Sequence, residues 1–339
     1  MTAAGGPPRM EAPTIFVQLA AYREPELAAT ISSCIDGAVH PERLRFGICL
    51  QFDEAIADAG SDCLDRLGER AELRVLRYPA GLSRGGCWAR FEAQGLYDGE
   101  DFTLQVDAHS RMADGWDDAL VDLVRGLPGA KPLITGFPPL YRLQDGRMVP
   151  IDDVDDPVPV TQIVQWSPDG WIHHPTVPAP PGTPPGPRPT RVISGAFVFT
   201  VGAWNVEVRQ DPEHLYSGEE FALTLRSFTS GYDLWNPPRR IIWHRMHPEA
   251  NPKYVNDDPD GLRERRHERA CRRLRVLLAG DPEGILDPFS LGAERTLDEY
   301  WDYSGIRWPG RTISESARLG IPPERSSAVD TGVGGLGRR

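Results

Sequence analysis

An aspartate and a histidine one residue apart, Asp107-Ala108-His109, follow directly on the apolar run Phe102-Thr103-Leu104-Gln105-Val106. Side chains of an extended chain alternate between faces, so residues two apart point the same way and can grip one metal ion. The run predicts a buried strand, and in open α/β sheets ligands collect outside the carboxyl ends of the strands, where this pair falls. A carboxylate oxygen with an imidazole nitrogen suits a borderline ion such as Mn²⁺, or another divalent cation, better than a structural zinc site, which takes four ligands and favours thiolates. A second imidazole, His244, closes the run Arg240-Ile241-Ile242-Trp243. Asp107, His109 and His244 would supply three ligands from the ends of two strands and leave positions open for ligand oxygens. His247, three residues on, is the alternative third ligand.

Other chemistry-bearing residues surround this pair in sequence. There is no glycine loop of the P-loop or G-x-G-x-x-G type, so an ion would carry most of the neutralisation of a bound diphosphate. Arg84, in a glycine-flanked loop, is a candidate second positive charge. Glu219 and Glu220, after Ser217-Gly218, open an amphipathic helix, where carboxylates either answer the helix dipole or orient and deprotonate hydroxyls. Cys87 has no histidine or base local to it in sequence and reads as a small buried hydrophobe.

The elements needed to position these groups are legible as alternation. Apolar, β-branched runs at Thr14 to Ala20, Leu44 to Gln51, Leu73 to Tyr78 and Phe102 to Val106 read as strands. Between the first two, Leu27, Ile31, Cys34, Ile35 and Ala38 fall on one helical face, and a helix from Gly86 through Trp88, Phe91 and Leu96 leads into the fourth strand. Strands alternating with helices imply an α/β fold with a mostly parallel sheet covered on both faces. Further on, Trp116 to Leu127 reads as helix, and Pro132 to Phe137, Arg191 to Val201 and Arg240 to His244 as strands of the same sheet, with a glycine at 195 where close backbone approach is possible. VPAPPGTPPGPRPT, from Val177 to Thr190, is too proline-rich to pack as helix or sheet, and Leu140 to Thr190 as a whole reads as an insertion or mobile excursion over the active-site face. Its Trp166, Trp171, His173 and His174 are candidate ligand contacts.

Composition narrows the class. At 339 residues with a formal net charge of -12, the chain can bury a large core but lacks the basic stripe a nucleic-acid groove requires. The one basic run, Arg263 to Arg275, reads as a solvated helix face. The first residues, MTAAGGPPRMEAP, have neither a signal-peptide core nor a membrane span, so a cytoplasmic protein with no membrane partner is expected. Five scattered cysteines without C-x-x-C spacing argue against a disulfide framework or a zinc ribbon.

Several spaced blocks carry a resemblance. LAAYREPEL (19–27), PERLRFGICLQ (41–51), GGCWARFEAQGLYDGEDFTLQVDAHSRMADGWDD (86–118 with Gly85), DPEHLYSGEEFALTLRSFTSGYDLW (211–235) and IWHRMH (242–247) resemble the GlcNAc-transferase family that includes the Skp1 hydroxyproline N-acetylglucosaminyltransferases. The likeness runs from about Thr14 to Leu319, with the proline-rich excursion outside it. It implies a GT-A fold, a UDP-sugar donor, a divalent metal and retention of anomeric configuration. It places the family's D-x-H on Asp107 and His109, its late metal histidine on His244, and its G-E-E block on Gly218, Glu219 and Glu220. The donor-base loop falls on Ala21, Tyr22 and Arg23, and Arg84, Gln105 and Asp107 complete the expected donor-binding set. Ala108 replaces the family's usual serine, and Arg245 and Met246 replace its tyrosines.

The expected organisation is a disordered N-terminus (1–13), a GT-A domain (14–250) with the 140–190 insertion, a C-terminal extension packed on the core (251–320) and a disordered tail (321–339). The expected activity is metal-dependent transfer of a sugar, GlcNAc by the resemblance, from a UDP-sugar to a hydroxyl of a peptide, protein or small natural product. Two other readings compete: a metal-dependent phosphohydrolase, which would want a denser carboxylate and histidine cluster, and a nucleotide-sugar binding module without turnover.

Overall fold

The structure is a computed structural model and describes residues 12–53, 57–152, 157–180, 183, 185–215, 218–246, 254, 262–308 and 310–324, with the backbone alone over 57–62. The chain opens with β1 (Ile15–Tyr22), α1 (Leu27–Gly37), β2 (Leu44–Phe52), α2 (Ala57–Gly68), β3 (Glu72–Pro79), α3 (Gly86–Gln94) and β4 (Phe102–Asp107). β1 is flanked by β2 and β4 and parallel to both. Covered on both faces, it carries a nearly continuous apolar sequence, with Ile15, Phe16, Val17 and Leu19 fully buried. Leu27, Ile31, Cys34 and Ile35 of α1 pack into the same core, one face of the helix as the spacing predicts.

After β4 come β5 (Ser110–Met112), α4 (Trp116–Gly126), β6 (Pro132–Thr135), β7 (Leu140–Gln144) and β8 (Arg147–Pro150). Four two-residue strands follow, β9 (Val160–Thr161), β10 (Gln165–Trp166), β11 (Ile172–His173) and β12 (Thr176–Val177), then β13 (Arg188–Pro189) and β14 (Phe197–Val201). The rest is α5 (Trp204–Glu207), α6 (Glu219–Thr229), β15 (Asp233–Asn236), β16 (Ile242–Arg245), α7 (Leu262–Leu278), α8 (Leu297–Ser304), β17 (Ile306–Arg307), β18 (Thr312–Ile313) and α9 (Glu315–Leu319).

The main sheet has eight strands in the order β13-β15-β6-β14-β4-β1-β2-β3. It is parallel except where β14 runs against β4 and β6 and where β13 edges β15. A second sheet, β5-β16-β7-β8, stands beside it. The run read as the last strand of the main sheet, Arg240 to His244, belongs instead to this second sheet as β16, because β5 turns out of the main sheet after β4 and recruits it.

The 140–190 segment also differs from expectation. It forms antiparallel pairs, β7 with β8, β10 with β11 and β9 with β12, and buries Tyr141, Ile163 and Ile172. Among the described residues, its prolines fall between the short strands or at a sheet edge, where no ladder hydrogen bond is lost. The strand expected from Arg191 starts only at Phe197, because Ser194 to Phe197 form a turn.

A second hydrophobic cluster joins Phe221, Leu225 and Phe228 of α6 to Leu274 and Leu277 of α7 and to Tyr300 and Trp301 of α8. Arg263, Arg265, Arg269, Arg272 and Arg275 of α7 are exposed, as read from the basic run, but Arg273 turns inward to Asp211 at 2.7 Å and Arg266 lies over the Tyr254 ring, while Ala270, Cys271, Leu274 and Leu277 are buried. Of the tail expected to be disordered from 321, Ile321 gives its carbonyl to Arg191 Nη1 at 2.6 Å, and residues from 325 lie outside the described residues. Among the described residues, no helix is long and apolar enough to cross a membrane.

Candidate functional site

The carboxyl ends of β1 and β4 lie side by side, with Ala20 registered on Asp107. The strand ends at Asp107, and Ala108 and His109 form a turn rather than continuing extended, so the alternation argument does not apply to them. The two side chains nevertheless converge, because the buried Thr30 of α1 clamps the turn. Its hydroxyl donates toward the carbonyls of Ala108 (2.9 Å) and Ser110 (3.1 Å) and accepts from the Ser110 amide. β16 then pairs His244 with Ser110, and the Arg245 amide donates to the His109 carbonyl at 3.0 Å.

This brings ligand atoms of Asp107, His109 and His244 within 4.8 Å of one another. His244 Nε2 lies 3.2 Å from Asp107 Oδ2, and the two histidine Nε2 atoms are 2.8 Å apart. His109 Nδ1 faces Glu24 Oε2 at 3.0 Å. A proton held there leaves the lone pair on Nε2, turned toward His244 and Asp107, the tautomer a metal ligand needs. One carboxylate oxygen and two imidazole nitrogens converging in this way fit a divalent ion. Arg245, where the family has tyrosine, pairs with Glu26 Oε1 at 3.0 Å and so ties β16 to the loop before α1. His247 lies outside the described residues.

A buried cation adjoins this group. Arg90 of α3 holds Asp107 Oδ1 at 2.9 Å and reaches Glu219 Oε1 at 3.4 Å. Burial alone would raise the Asp107 carboxyl, but the His244 hydrogen bond and the charges of Arg90 and the histidines overcome it and hold the group well below the usual carboxylate range. Cys87, one turn before Arg90 on α3, lies 2.6 Å from Glu219 Oε2. Cys87 is buried, as read from the sequence, but α6 brings a carboxylate to it from a distant part of the chain. The thiol is pushed well up, first by burial and then by the Glu219 charge.

Gly195 sits at the centre. A Cβ there would lie 2.9 Å from Arg90 Nη1, so the glycine admits the guanidinium, the close approach expected at this position, though in a turn rather than a strand. Its carbonyl accepts from Gln105 Nε2 at 2.7 Å, and its amide donates to Glu220 Oε1 at 2.7 Å. Gln105 is buried, and its Oε1 has no hydrogen-bond partner among the described residues. Glu220 lines a cavity of about 550 Å³ with Phe137, Trp171, His173 and His174. Burial pushes its carboxyl up to about 7. Glu219 and Glu220, adjacent in sequence, thus face different surroundings.

The expected donor residues are spread more widely. Ala21 and Tyr22 end β1, and Arg23, with φ 47°, donates its amide to the Gln51 carbonyl and its guanidinium to Asp53 at 2.6 Å. Tyr22 packs edge-on against Tyr254. Arg84 is half exposed and pairs with Glu213, whereas the cation in contact with Asp107 is Arg90. Sequence reasoning missed Arg90, Glu24 and Thr30. Glu24 and Arg90 lie within the blocks that carry the resemblance, but only the fold shows what they face.

Among solved structures, the fold is similar to that of GalNAc-T7 crystallised with UDP, GalNAc and Mn²⁺, with a TM-score of 0.55 and 16% identity over 85% of this chain and 54% of that one. It is also similar to S. aureus TarS 1-349 in complex with UDP-GlcNAc, with a TM-score of 0.47 and 11% identity over 78% of this chain and 66% of that one. The chain therefore spans about half the length of the GalNAc-T7 chain, and the likeness shows a GT-A fold. No curated protein matches the sequence. The profile of the glycosyltransferase (GlcNAc) family matches residues 14–68 and 64–308, running through the proline-rich segment that the block resemblance leaves out. By that match, which takes in most of its length, the chain belongs to the glycosyltransferase (GlcNAc) family.

Proposed function

We propose that the chain moves GlcNAc from UDP-GlcNAc to a hydroxyl of a peptide, protein or small natural-product acceptor, with retention of configuration. The observation that carries this reading is the convergence of Asp107, His109 and His244 at the carboxyl edge of the sheet. The family's description supports GlcNAc as the sugar, and the Mn²⁺ and UDP of the GalNAc-T7 structure support a metal-assisted nucleotide donor. Asp107, His109 and His244 would hold the ion, with Glu24 fixing the His109 tautomer. A bound divalent ion would supply positive charge opposite the diphosphate as the bond to the sugar weakens.

The remaining roles follow from position. Ala21, Tyr22 and Arg23, which follow directly on Ala20, the register partner of Asp107, form the base side of the donor site. Gln105 offers a buried carbonyl oxygen, and Arg90 keeps Asp107 ionised and oriented. Arg84, exposed and paired with Glu213, takes the smallest share. Glu219 is engaged by Arg90 and Cys87 and serves to position α6 against α3. Glu220 faces the cavity with one oxygen on the Gly195 amide, and orients the acceptor hydroxyl or the sugar hydroxyls. The acceptor hydroxyl attacks from the face the UDP leaves, and its proton goes to the departing phosphate.

The test is UDP release from a panel of UDP-sugars with Mn²⁺, with chelator, and for Asp107→Ala. Release from UDP-GlcNAc that vanishes in both controls is the expected result. Absence of UDP binding altogether overturns the reading, and tight UDP binding without release from any sugar, with or without candidate acceptors, points to the binding module instead.

A further inference from the structure

A second cluster of ligating side chains lies away from the first. α7 carries His267 and Cys271 at i and i+4, on one helical face, and Cys271 is buried. Cys271 Sγ lies 3.6 Å from His267 Nε2. Facing them is Asp169, at the tip of the β10–β11 hairpin. Ligand atoms of Asp169, His267 and Cys271 all fall within 4.8 Å of one another.

The hairpin tip is built rather than loose. The Ser167 amide donates to the Trp171 carbonyl at 2.7 Å, and the Asp169 amide donates to Ser167 Oγ at 3.2 Å. A Cβ on Gly170 would lie 2.7 Å from Leu278 Cδ1, so the tip sits directly on α7. Arg275, one turn beyond Cys271, holds Asp169 Oδ1 at 3.0 Å. That fixes the carboxylate's orientation and leaves its second oxygen available, the usual office of an outer partner.

We propose that Asp169, His267 and Cys271 form a second metal site, which takes a thiophilic divalent ion such as Zn²⁺ and staples α7 to the β10–β11 hairpin. The donor set differs in kind from the first. A thiolate with an imidazole and a carboxylate selects zinc over the oxygen-seeking Mg²⁺, Ca²⁺ or Mn²⁺, and three protein ligands leave one position for water. The thiolate and carboxylate cancel the ion's two charges.

The consequence reaches the cavity beside Glu220. Trp171 and His173, on the same hairpin, form part of its wall. A Cβ on Gly218 would lie 2.6 Å from Leu274 of α7 and 3.2 Å from Trp171, so α7, the hairpin and the start of α6 are packed without slack. An ion at the hairpin tip would hold that wall in place.

The test is a Co²⁺ titration of the full chain, read by the thiolate-to-cobalt charge-transfer band in the near ultraviolet. The first site contains no cysteine ligand, so the band reports only a thiolate site. The expected result is a band that is present in the wild-type chain, saturates at one equivalent in Asp107→Ala, is displaced by Zn²⁺ and is lost in Cys271→Ser. No band in the wild-type chain, or one that survives Cys271→Ser, overturns the proposal. Should Cys271→Ser fail to fold by circular dichroism, His267→Gln at a half-buried position decides the matter. It should weaken Co²⁺ binding on the order of a hundredfold, and unchanged affinity is again fatal.

Discussion

Asp107, held by Arg90, and Glu220, held by the Gly195 amide, are both partly buried carboxylates, and their surroundings drive them in opposite directions. Asp107 is met by a guanidinium at 2.9 Å and an imidazole at 3.2 Å, and stays ionised. Glu220 receives a backbone amide at 2.7 Å, and among the described residues its only ion-pair partner is His174 at 3.5 Å. Burial lowers the pKa of that imidazole, so at neutral pH it brings little charge. Burial therefore prevails at Glu220, and its proton is poised near 7. Environment, not residue type, divides the labour: a permanent anion suits a bound cation, whereas a group titrating near neutrality can accept from or donate to a hydroxyl.

The sharpest way to break the contrast is to remove the charge on one side only. Asp107→Asn should lower donor-dependent UDP release by roughly a thousandfold while leaving a folded protein. Release within a few-fold of wild type would place the reaction elsewhere.

The same rule has an opposite-sign counterpart in His214, buried and depressed to about 4, chiefly by burial. Between its ordinary 6.5 and about 4, the unfolded chain takes a proton that the folded chain refuses, so stability should fall as pH falls through that window. The linked effect is about 2–3 kcal/mol, and His214→Gln should flatten the slope in denaturant titrations at several pH values. An unchanged slope would show that burial is not holding this imidazole neutral.

For Glu220 the sign reverses. From its ordinary 4.5 up to about 7, the folded protein keeps a proton that the unfolded chain has lost, so stability should decline with rising pH and level off above 7. Glu220→Gln should remove that decline and gain about 1–2 kcal/mol at pH 8, since the carboxyl keeps some solvent contact. It should also flatten any limb of the activity profile near 7. A limb that persists in the variant belongs to another group.

The smallest effect is expected at Arg84, whose exposed pair with Glu213 contributes less than about 0.5 kcal/mol. Arg84→Ala should leave the donor KM nearly unchanged, and a large rise would return this arginine to the diphosphate.

What the sequence disclosed follows the same physical division. The β1 to β4 half was legible because β1, β2 and β4 are buried and read as apolar runs, with the partly exposed β3 at the sheet edge, and α1 shows its buried face at helical spacing. Asp107, His109 and His244 were legible as types at strand ends. Their meeting was not, since it depends on Thr30 clamping a turn and on β16 leaving the main sheet for a second one. The 140–190 segment was misread because two-residue strands carry no periodicity and its prolines dominate the local signal. Arg90 and the Cys87–Glu219 contact were hidden for a different reason: each partner lies on another element, and no local pattern announces a contact between α3 and α6.

The placement of His244 on β16 has a thermodynamic corollary. Asp107 belongs to one sheet and His244 to the other, so an ion bound between them is a cross-link across the seam. Its affinity would contain the free energy of docking the two sheets, and by mass action the ion would raise the melting temperature with the logarithm of its excess over the dissociation constant. Substitutions at the seam that never touch the ion, such as breaking Glu26 from Arg245, would then register as weaker metal binding.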